Sequence, residues 1–180
     1  MGVKLVKFEV IQFSGARVIG KSINVKEPTT IDDPTITDLL EMMKNDGHND
    51  FLLNLPDKYT LNLDTVGWQG DFQPGDCSYT YLSGVLFKPN TQVPDGYEYR
   101  DIAPCEMAIA WIQECDEDNG GDLFADASST LAKARAEQGY QYDCSHGFFE
   151  MEYYSEKRFK INQNNGKPVI LDFYSPCQKV

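Results

Sequence analysis

The sequence predicts an α+β fold made of two tandem strand-strand-helix-strand-strand modules, whose antiparallel sheets form a central ligand groove. Each half of the 180-residue chain has two segments rich in Val, Ile and Phe, then an amphipathic stretch, then two further apolar segments. The two helices begin about 88 residues apart, and the strands that follow them keep nearly the same offset. A concave seam between two such modules favours a small-molecule pocket.

The first module opens with two predicted strands, at 3–12 and 17–25. Both are rich in Val, Ile and Phe, and Ser14-Gly15 between them is typical of a hairpin turn. We therefore expect these two strands to pair with each other.

The first helix is predicted over 34–46. Asp33 is placed as its N-cap, Pro34 suits the first turn, and Gly47 follows its end. One face is expected to be buried, because its apolar residues recur at helical spacing: Ile36, Leu39, Leu40 and Met43.

Strands at 59–68 and 77–87 complete the first module, which spans 1–88. The segment 89–96 joins the modules, because it has two prolines, a glycine and no periodicity. The second module, 97–180, is predicted to contain strands at 97–102, 106–113, 147–155 and 168–174.

The second helix is predicted over 123–138. Asp122 is its expected N-cap and Gly139 ends it. The expected buried stripe is Leu123, Ala127, Leu131 and Ala134, and the residues expected in solvent are Lys133, Arg135 and Glu137.

Composition limits the classes of partner. The chain has 16 Lys and Arg against 28 Asp and Glu, a formal charge of −12. Because phosphate contacts dominate non-specific DNA affinity, direct nucleic-acid binding is not expected, and neither is binding to anionic lipid. Neutral or cationic partners are favoured.

Neither a membrane span nor a leader is expected, since no apolar run approaches about 18 residues and the N-terminal residues alternate charged and apolar side chains. The five cysteines are scattered and odd in number. This usage suits free thiols in a reducing compartment, so a cytoplasmic protein is predicted.

Short motifs occur in one order along nearly the whole chain. They are ARVIGKS at 16–22, YTYLSGVLF at 79–87, VPDG at 93–96, APCEMAIA at 103–110, Gly139-Tyr140, FEMEYY at 149–154 and VILDFYSP at 169–176. This ordered set resembles the GyrI-like, or AraC-type effector-binding, family of small-molecule binding domains. The chain is similar to a stand-alone member of that family.

The resemblance implies a groove between duplicated halves that takes lipophilic or cationic drugs and contains a glutamate. Two departures from the family pattern occur. Cys105-Glu106 stands where the family usually has glycine, and the pair Glu150 and Glu152 leaves open which carboxylate takes the pocket position.

Two carboxylates lie two residues apart on one predicted strand. Alternation places Phe148, Glu150, Glu152 and Tyr154 on one face of it. If that face is buried, the carboxyl pKa values rise, and the site attracts a cation or acts as a general acid or base. The alternative is a solvated face on which the pair is two of the chain's many acids.

Aromatic residues on the predicted seam-lining strands are further candidate ligand contacts, because rings suit planar or cationic ligands. They are Trp68, Tyr79, Tyr81, Trp111, Tyr154 and Tyr174, with Glu106 as a third candidate acid. Ordinary core packing is the alternative for the rings, and an edge charge is the alternative for Glu106.

No metal or nucleotide cofactor is expected. His48 and His146 do not complete a zinc ligand set, and the acidic run at 116–122 has the wrong spacing for a calcium loop. Glycine-rich phosphate loops do not occur in the sequence.

Three functions follow, from different classes. The first is binding of a lipophilic or cationic aromatic small molecule in the groove. The alternative is a GyrI-like hydrolase that opens electrophilic cyclopropane-type compounds, with Glu150, Glu152 and Tyr154 as the catalytic groups. The third is an acidic protein partner of a transcription regulator or of gyrase.

Overall fold

The computed structural model describes residues 3–26, 33–115 and 122–180. These residues form nine β-strands, whose assigned pairs are antiparallel, with helices between them. The predicted α+β class with antiparallel sheets is confirmed. None of the helices in these residues has the length and hydrophobicity needed to cross a membrane.

The chain divides into two compact units that are interleaved in sequence. Unit 1 comprises Met1–Ser14, Pro104–His146 and Glu150–Val180, and unit 2 comprises Gly15–Ala103 and Gly147–Phe149.

Unit 2 consists of one sheet with two helices on one face. Its elements are β2 (Ala16–Val25), α1 (Ile36–Asn45), α2 (His48–Leu53), β3 (Thr65–Gln73), β4 (Ser78–Phe87) and β5 (Glu98–Ile102). The strand order is β3-β4-β2-β5. The core of unit 2 forms where α1 and α2 pack on β2 and β4, around Ile19, Leu39, Met43, Leu52, Tyr81 and Phe87.

Unit 1 has the same plan. Its elements are β1 (Val3–Phe13), β6 (Cys105–Glu114), α3 (Leu123–Glu137), β7 (Tyr140–Tyr142), β8 (Phe149–Tyr154), α4 (Ile161–Asn164) and β9 (Ile170–Lys179). The strand order is β8-β9-β6-β1, and the short β7 also pairs with β9. Helix α3 packs on β6, β9 and β1 and covers one face of this sheet.

The strand orders of the two units correspond, with β3, β4, β2 and β5 of unit 2 matching β8, β9, β6 and β1 of unit 1. The first strand of each predicted module therefore belongs to the other unit, since β1 lies in unit 1 and β5 in unit 2. β1 pairs with β6, and β5 pairs with β2. The common order supports an internal repeat, and the module bounds 1–88 and 97–180 stay a prediction.

The predicted β1–β2 hairpin is wrong, because β1 is hydrogen-bonded to β6 while β2 is hydrogen-bonded to β4 and β5. Alternating apolar residues identify a strand but not its partner. Gly15, at a φ of 88°, connects two strands that belong to different units.

Helix α1 begins two residues later than predicted, and its N-cap is Thr35 rather than Asp33. The Thr35 hydroxyl accepts a hydrogen bond from the Asp38 amide at 3.1 Å, and the Asp38 carboxylate accepts one from the Thr35 amide at 2.9 Å. This reciprocal capping box satisfies two amides at the helix start, which an Asp33 cap would leave unpaired. Of the predicted face, Leu39 and Met43 are buried, and Ile36 and Leu40 are half-buried against the core.

Helix α3, Leu123–Glu137, agrees closely with the helix predicted over 123–138. Asp122 caps it through the amides of Phe124 and Ala125, and the four residues of the predicted stripe are all buried. Arg135 is the exception, since it was expected in solvent. It is half-buried, and its guanidinium donates to the Ser175 hydroxyl at 2.6 Å.

Other boundaries shift by several residues. The third strand begins at Thr65 instead of 59, and the last strand runs to Lys179 instead of 174. The sequence did not predict α2, β7 or the helical segment 156–164. Of the acidic run at 116–122, only Asp122 lies within the described residues.

Gly20 of β2 and Gly84 of β4 lie opposite each other, and their lack of side chains allows the two strands to approach closely. A Cβ on Gly84 would lie 2.0 Å from the Ile19 carbonyl oxygen, and one on Gly20 would lie 1.9 Å from the Ser83 carbonyl oxygen. These contacts are with backbone, which cannot rotate away.

Replacing Gly84 by alanine should therefore lower the free energy of unfolding by about 2–3 kcal/mol, because the new methyl overpacks the sheet. Urea denaturation measures this. Gly75→Ala is the matched control, since a Cβ there meets nothing within 4 Å. Equal losses from both variants would contradict the close-approach argument.

Candidate functional site

Strand β8 directs three of the predicted site residues toward helix α3. The Ser128 hydroxyl of α3 donates to Glu150 Oε1 at 3.0 Å. Tyr154 belongs to the buried cluster that contains Leu123 and Leu131 of α3. Because alternate residues of a strand share a face, Glu152 between them lies on the α3-covered face of unit 1 as well.

Glu152 is a buried carboxylate, with 5% of its surface exposed. The Tyr154 hydroxyl donates to Glu152 Oε2 at 2.5 Å. A hydrogen bond to a carboxylate is shorter and stronger than one between neutral groups. The phenol therefore holds the carboxylate in one orientation inside the core of unit 1.

The Tyr154 ring lies between two phenylalanines. The ring centroid of Phe159 is 4.9 Å away at an interplanar angle of 86°, and that of Phe124 is 6.4 Å away. Both phenylalanines also line a cavity of about 540 Å³ at the N-terminal end of α3. Its lining further includes Leu123, Val169, Asp122 and Lys167. Phe124 and Phe159 thus contact both the cavity and the Tyr154 ring.

Burial raises the pKa of the Glu150 carboxyl. The hydrogen bond from Ser128 and the charge of Arg135 act in the opposite direction, but burial outweighs them. Arg135 is fixed by its hydrogen bond to Ser175 and by the Tyr142 ring, whose centroid is 5.1 Å away. Glu150 is therefore a carboxyl whose proton is released closer to neutral pH than usual.

The structure does not bring all predicted residues of unit 1 to this face. Glu106 lies on it, because it alternates with the core residues Ala108 and Ala110, and it accepts a hydrogen bond from Gln12 at 3.0 Å. Trp111 and Tyr174 lie on the opposite face, since their strand positions alternate with the α3-covered ones.

In unit 2 the predicted aromatic residues also occupy both faces. Tyr81 is fully buried in the core beneath α1 and α2, and Tyr79 packs against the same core. Trp68 is paired with Leu82, the neighbour of Tyr81, and so lies on the other face. Its indole is stacked on Phe149, at 6.3 Å between centroids. The ligand-binding assignment of these residues stays a prediction.

Four residues of the site were missed by the sequence argument: Ser128, Arg135, Phe124 and Phe159. The helical wheel gave a signal for Ser128, because it adjoins Ala127 of the buried stripe. Phe159 had none, because it lies in the segment after β8, which has neither strand nor α-helical periodicity.

No group of three or more His, Cys, Asp or Glu side chains suited to a metal ion occurs in residues 3–26, 33–115 and 122–180. The expectation that the protein uses no cofactor stays a prediction.

No protein-family model matches the chain, and no curated protein matches it in sequence. Solved structures do match its fold. An integron cassette protein from the mobile metagenome of Vibrio cholerae is 8% identical, with a TM-score of 0.54 over 98% of this chain and 99% of that one. The EcmrR C-terminal domain is 11% identical, with a TM-score of 0.57 over 97% and 98%.

A third solved structure, SAV2435 bound to tetraphenylphosphonium, is 11% identical, with a TM-score of 0.58 over 96% of this chain and 94% of that one. At such identities the likeness establishes a shared fold, while function depends on the site that each chain builds on it.

The raised pKa of Glu150 makes stability depend on pH. The folded protein holds this proton more tightly than the unfolded chain does, so the contribution is present at acidic pH and lost as pH rises through the folded-state pKa. Glu150→Gln stays neutral, and its stability should rise relative to wild type between about pH 4 and pH 7.

Chemical denaturation across this pH range measures the difference. Glu137→Gln removes an exposed carboxylate at the end of α3, and it controls for the loss of one surface charge. A difference between wild type and Glu150→Gln that does not change with pH would refute the role assigned to burial.

Proposed function

We propose that this chain is a GyrI-like binding protein that takes a lipophilic or cationic aromatic small molecule on the α3 side of unit 1. The observation that carries the proposal is the buried Glu152 carboxylate, fixed by Tyr154, whose ring contacts two phenylalanines that line the cavity. Sensing or sequestration of xenobiotics is the corresponding biological role.

Each part of the site has a physical reason to favour such a ligand. A carboxylate taken out of water is stabilised by a cation that enters with it. The rings of Tyr154, Phe124 and Phe159 offer apolar area and π faces, which attract organic cations. A cavity of about 540 Å³ is of the size that drug-like ligands occupy.

The fold comparison supports the same class of ligand. SAV2435, which shares the fold, has been solved with tetraphenylphosphonium bound, a lipophilic aromatic cation. We therefore propose tetraphenylphosphonium as the first probe for this chain.

A hydrolase is the second candidate, favoured by the raised pKa of Glu150. A carboxyl that titrates closer to neutrality is a better general acid or base than an ordinary one. In this role one glutamate would activate water, and the other glutamate or Tyr154 would protonate the developing oxyanion. Conversion of an electrophilic cyclopropane into its hydrated product, followed by mass spectrometry, tests this candidate.

Binding is tested by calorimetric titration with tetraphenylphosphonium chloride and by thermal unfolding with a set of cationic dyes. A ligand that binds only the folded state raises its stability, by about 2.7 kcal/mol at a hundredfold excess over Kd. A melting temperature that none of these compounds moves would refute the proposal.

The two glutamates should contribute unequally. Glu152 is more deeply buried and is held by Tyr154, so Glu152→Gln should weaken tetraphenylphosphonium binding more than Glu150→Gln does. We expect the two losses to differ by more than about 1.4 kcal/mol, or tenfold in Kd. Isothermal titration of both variants gives the comparison. Equal losses, or a loss confined to Glu150→Gln, would show that Glu150 is the ligand-binding acid.

A further inference from the structure

The residues directly after β8 form a single π-helical turn, Glu156–Lys160. The amides of Phe159 and Lys160 both donate to the Ser155 carbonyl oxygen, at 2.9 and 3.1 Å. Single π-helical turns are rare and are found frequently at functional sites. Here the turn sends Arg158 and Phe159 to opposite faces of the unit 1 sheet.

Arg158 lies on the face opposite α3, where it forms an ion pair with the fully buried Asp172. Its Nε donates to Asp172 Oδ1 at 3.0 Å, and a second guanidinium nitrogen donates to Oδ2. The guanidinium carbon is also 4.2 Å from the centroid of the Trp111 ring. The planar guanidinium is held in one orientation, because it is bonded to the Asp172 carboxylate and stacked on the Trp111 ring. Since Asp172 belongs to β9 and Trp111 to β6, these contacts fix the turn to both strands.

Phe159 lies on the face that α3 covers, with 8% of its surface exposed. It contacts the Tyr154 ring edge-on and lines the cavity, and Tyr154 in turn donates to Glu152. An unbroken set of contacts therefore runs from the Asp172 anchor to the Glu152 carboxylate.

We propose that Arg158 is a positioning residue of the small-molecule site. It holds the π-helical turn in place, so that Phe159 keeps Tyr154 oriented toward Glu152. A π-helical turn has more residues per turn than an α-helical one, so relaxation of the turn would rotate Phe159 away from Tyr154. This inference rests on the proposed function, which assigns ligand binding to the same residues.

A second cation, Lys7, also lies over the Trp111 ring. Lys7 of β1 lies 4.5 Å from the centroid of Trp111 and pairs with Glu9 at 2.6 Å. The ion-pair partner of Lys7 is Glu9, whereas Asp172 pairs with Arg158, so Arg158 supplies the ion pair between the turn and β9.

The main variant is the double substitution Arg158→Met with Asp172→Asn. It removes the ion pair without leaving a buried, uncompensated carboxylate, which the single change at Arg158 would do at the risk of unfolding. Arg158→Lys keeps the charge but not the planar fork, and it carries the test if the double variant does not fold. Lys157→Gln is the matched control, since it removes an exposed cation from the adjacent position.

Two measurements need no ligand. Amide hydrogen exchange reports the Phe159 and Lys160 hydrogen bonds, and a nuclear Overhauser contact reports the Phe159 and Tyr154 rings. In the double variant we expect faster exchange of these two amides and loss of the ring contact, while the amides of α3 stay protected. Arg158→Lys should show an intermediate loss, and Lys157→Gln none.

The third measurement is the Kd for tetraphenylphosphonium. We expect it to rise about tenfold or more in the double variant, to rise less in Arg158→Lys, and to stay within about twofold of wild type in Lys157→Gln. A ring contact and a Kd that both persist without the ion pair would overturn the proposal. If wild type binds no tetraphenylphosphonium, the proposed function fails, and the exchange and ring-contact measurements still decide whether Arg158 positions Tyr154.

Discussion

The close packing of α3 on the unit 1 sheet is the constraint on which the site depends. Two alanines alternate with two leucines along its buried stripe, and the small side chains let the helix backbone approach the strands. That approach brings Ser128 and Arg135, which flank the stripe, within hydrogen-bonding distance of Glu150 and Ser175. Larger residues in place of the alanines would separate these polar partners, so the apolar stripe and the polar contacts depend on each other.

The carboxylates in the interior of unit 1 have two kinds of partner. Asp172 is paired with a guanidinium, whose opposite charge offsets the loss of water. Glu150 and Glu152 have hydroxyl groups among their partners. A hydroxyl donor stabilises a carboxylate without cancelling its charge. Glu150 also lies near the charge of Arg135, so a hydroxyl group and a guanidinium both act on it.

Local signals in the sequence were sufficient for elements whose ends are decided locally. Helix α3 has an aspartate cap, a regular stripe and a following glycine, and the structure has all three. The cap of α1 was misplaced because Thr35 and Asp38 satisfy each other's backbone amides, a reciprocal pattern that outcompetes a lone Asp33. Strand partners were not predictable, because alternation within β1 says nothing of β6, which lies far away in sequence. Alternation did place Glu150, Glu152 and Tyr154 together, whereas Phe159 depends on a π-helical turn that has no sequence period.

The exchange of first strands between the two units affects the order in which the chain can fold during synthesis. Residues 15–103 of unit 2 are continuous, so nearly all of that unit is available once they have been made. β1 is made first, but its partner β6 follows about 100 residues later, and contacts of such separation form slowly. Until then a strand of eleven residues has no sheet to join, and unpaired strands promote association between chains. β1 contains Lys4, Lys7 and Glu9, and charged side chains of this kind disfavour association between unpaired strands.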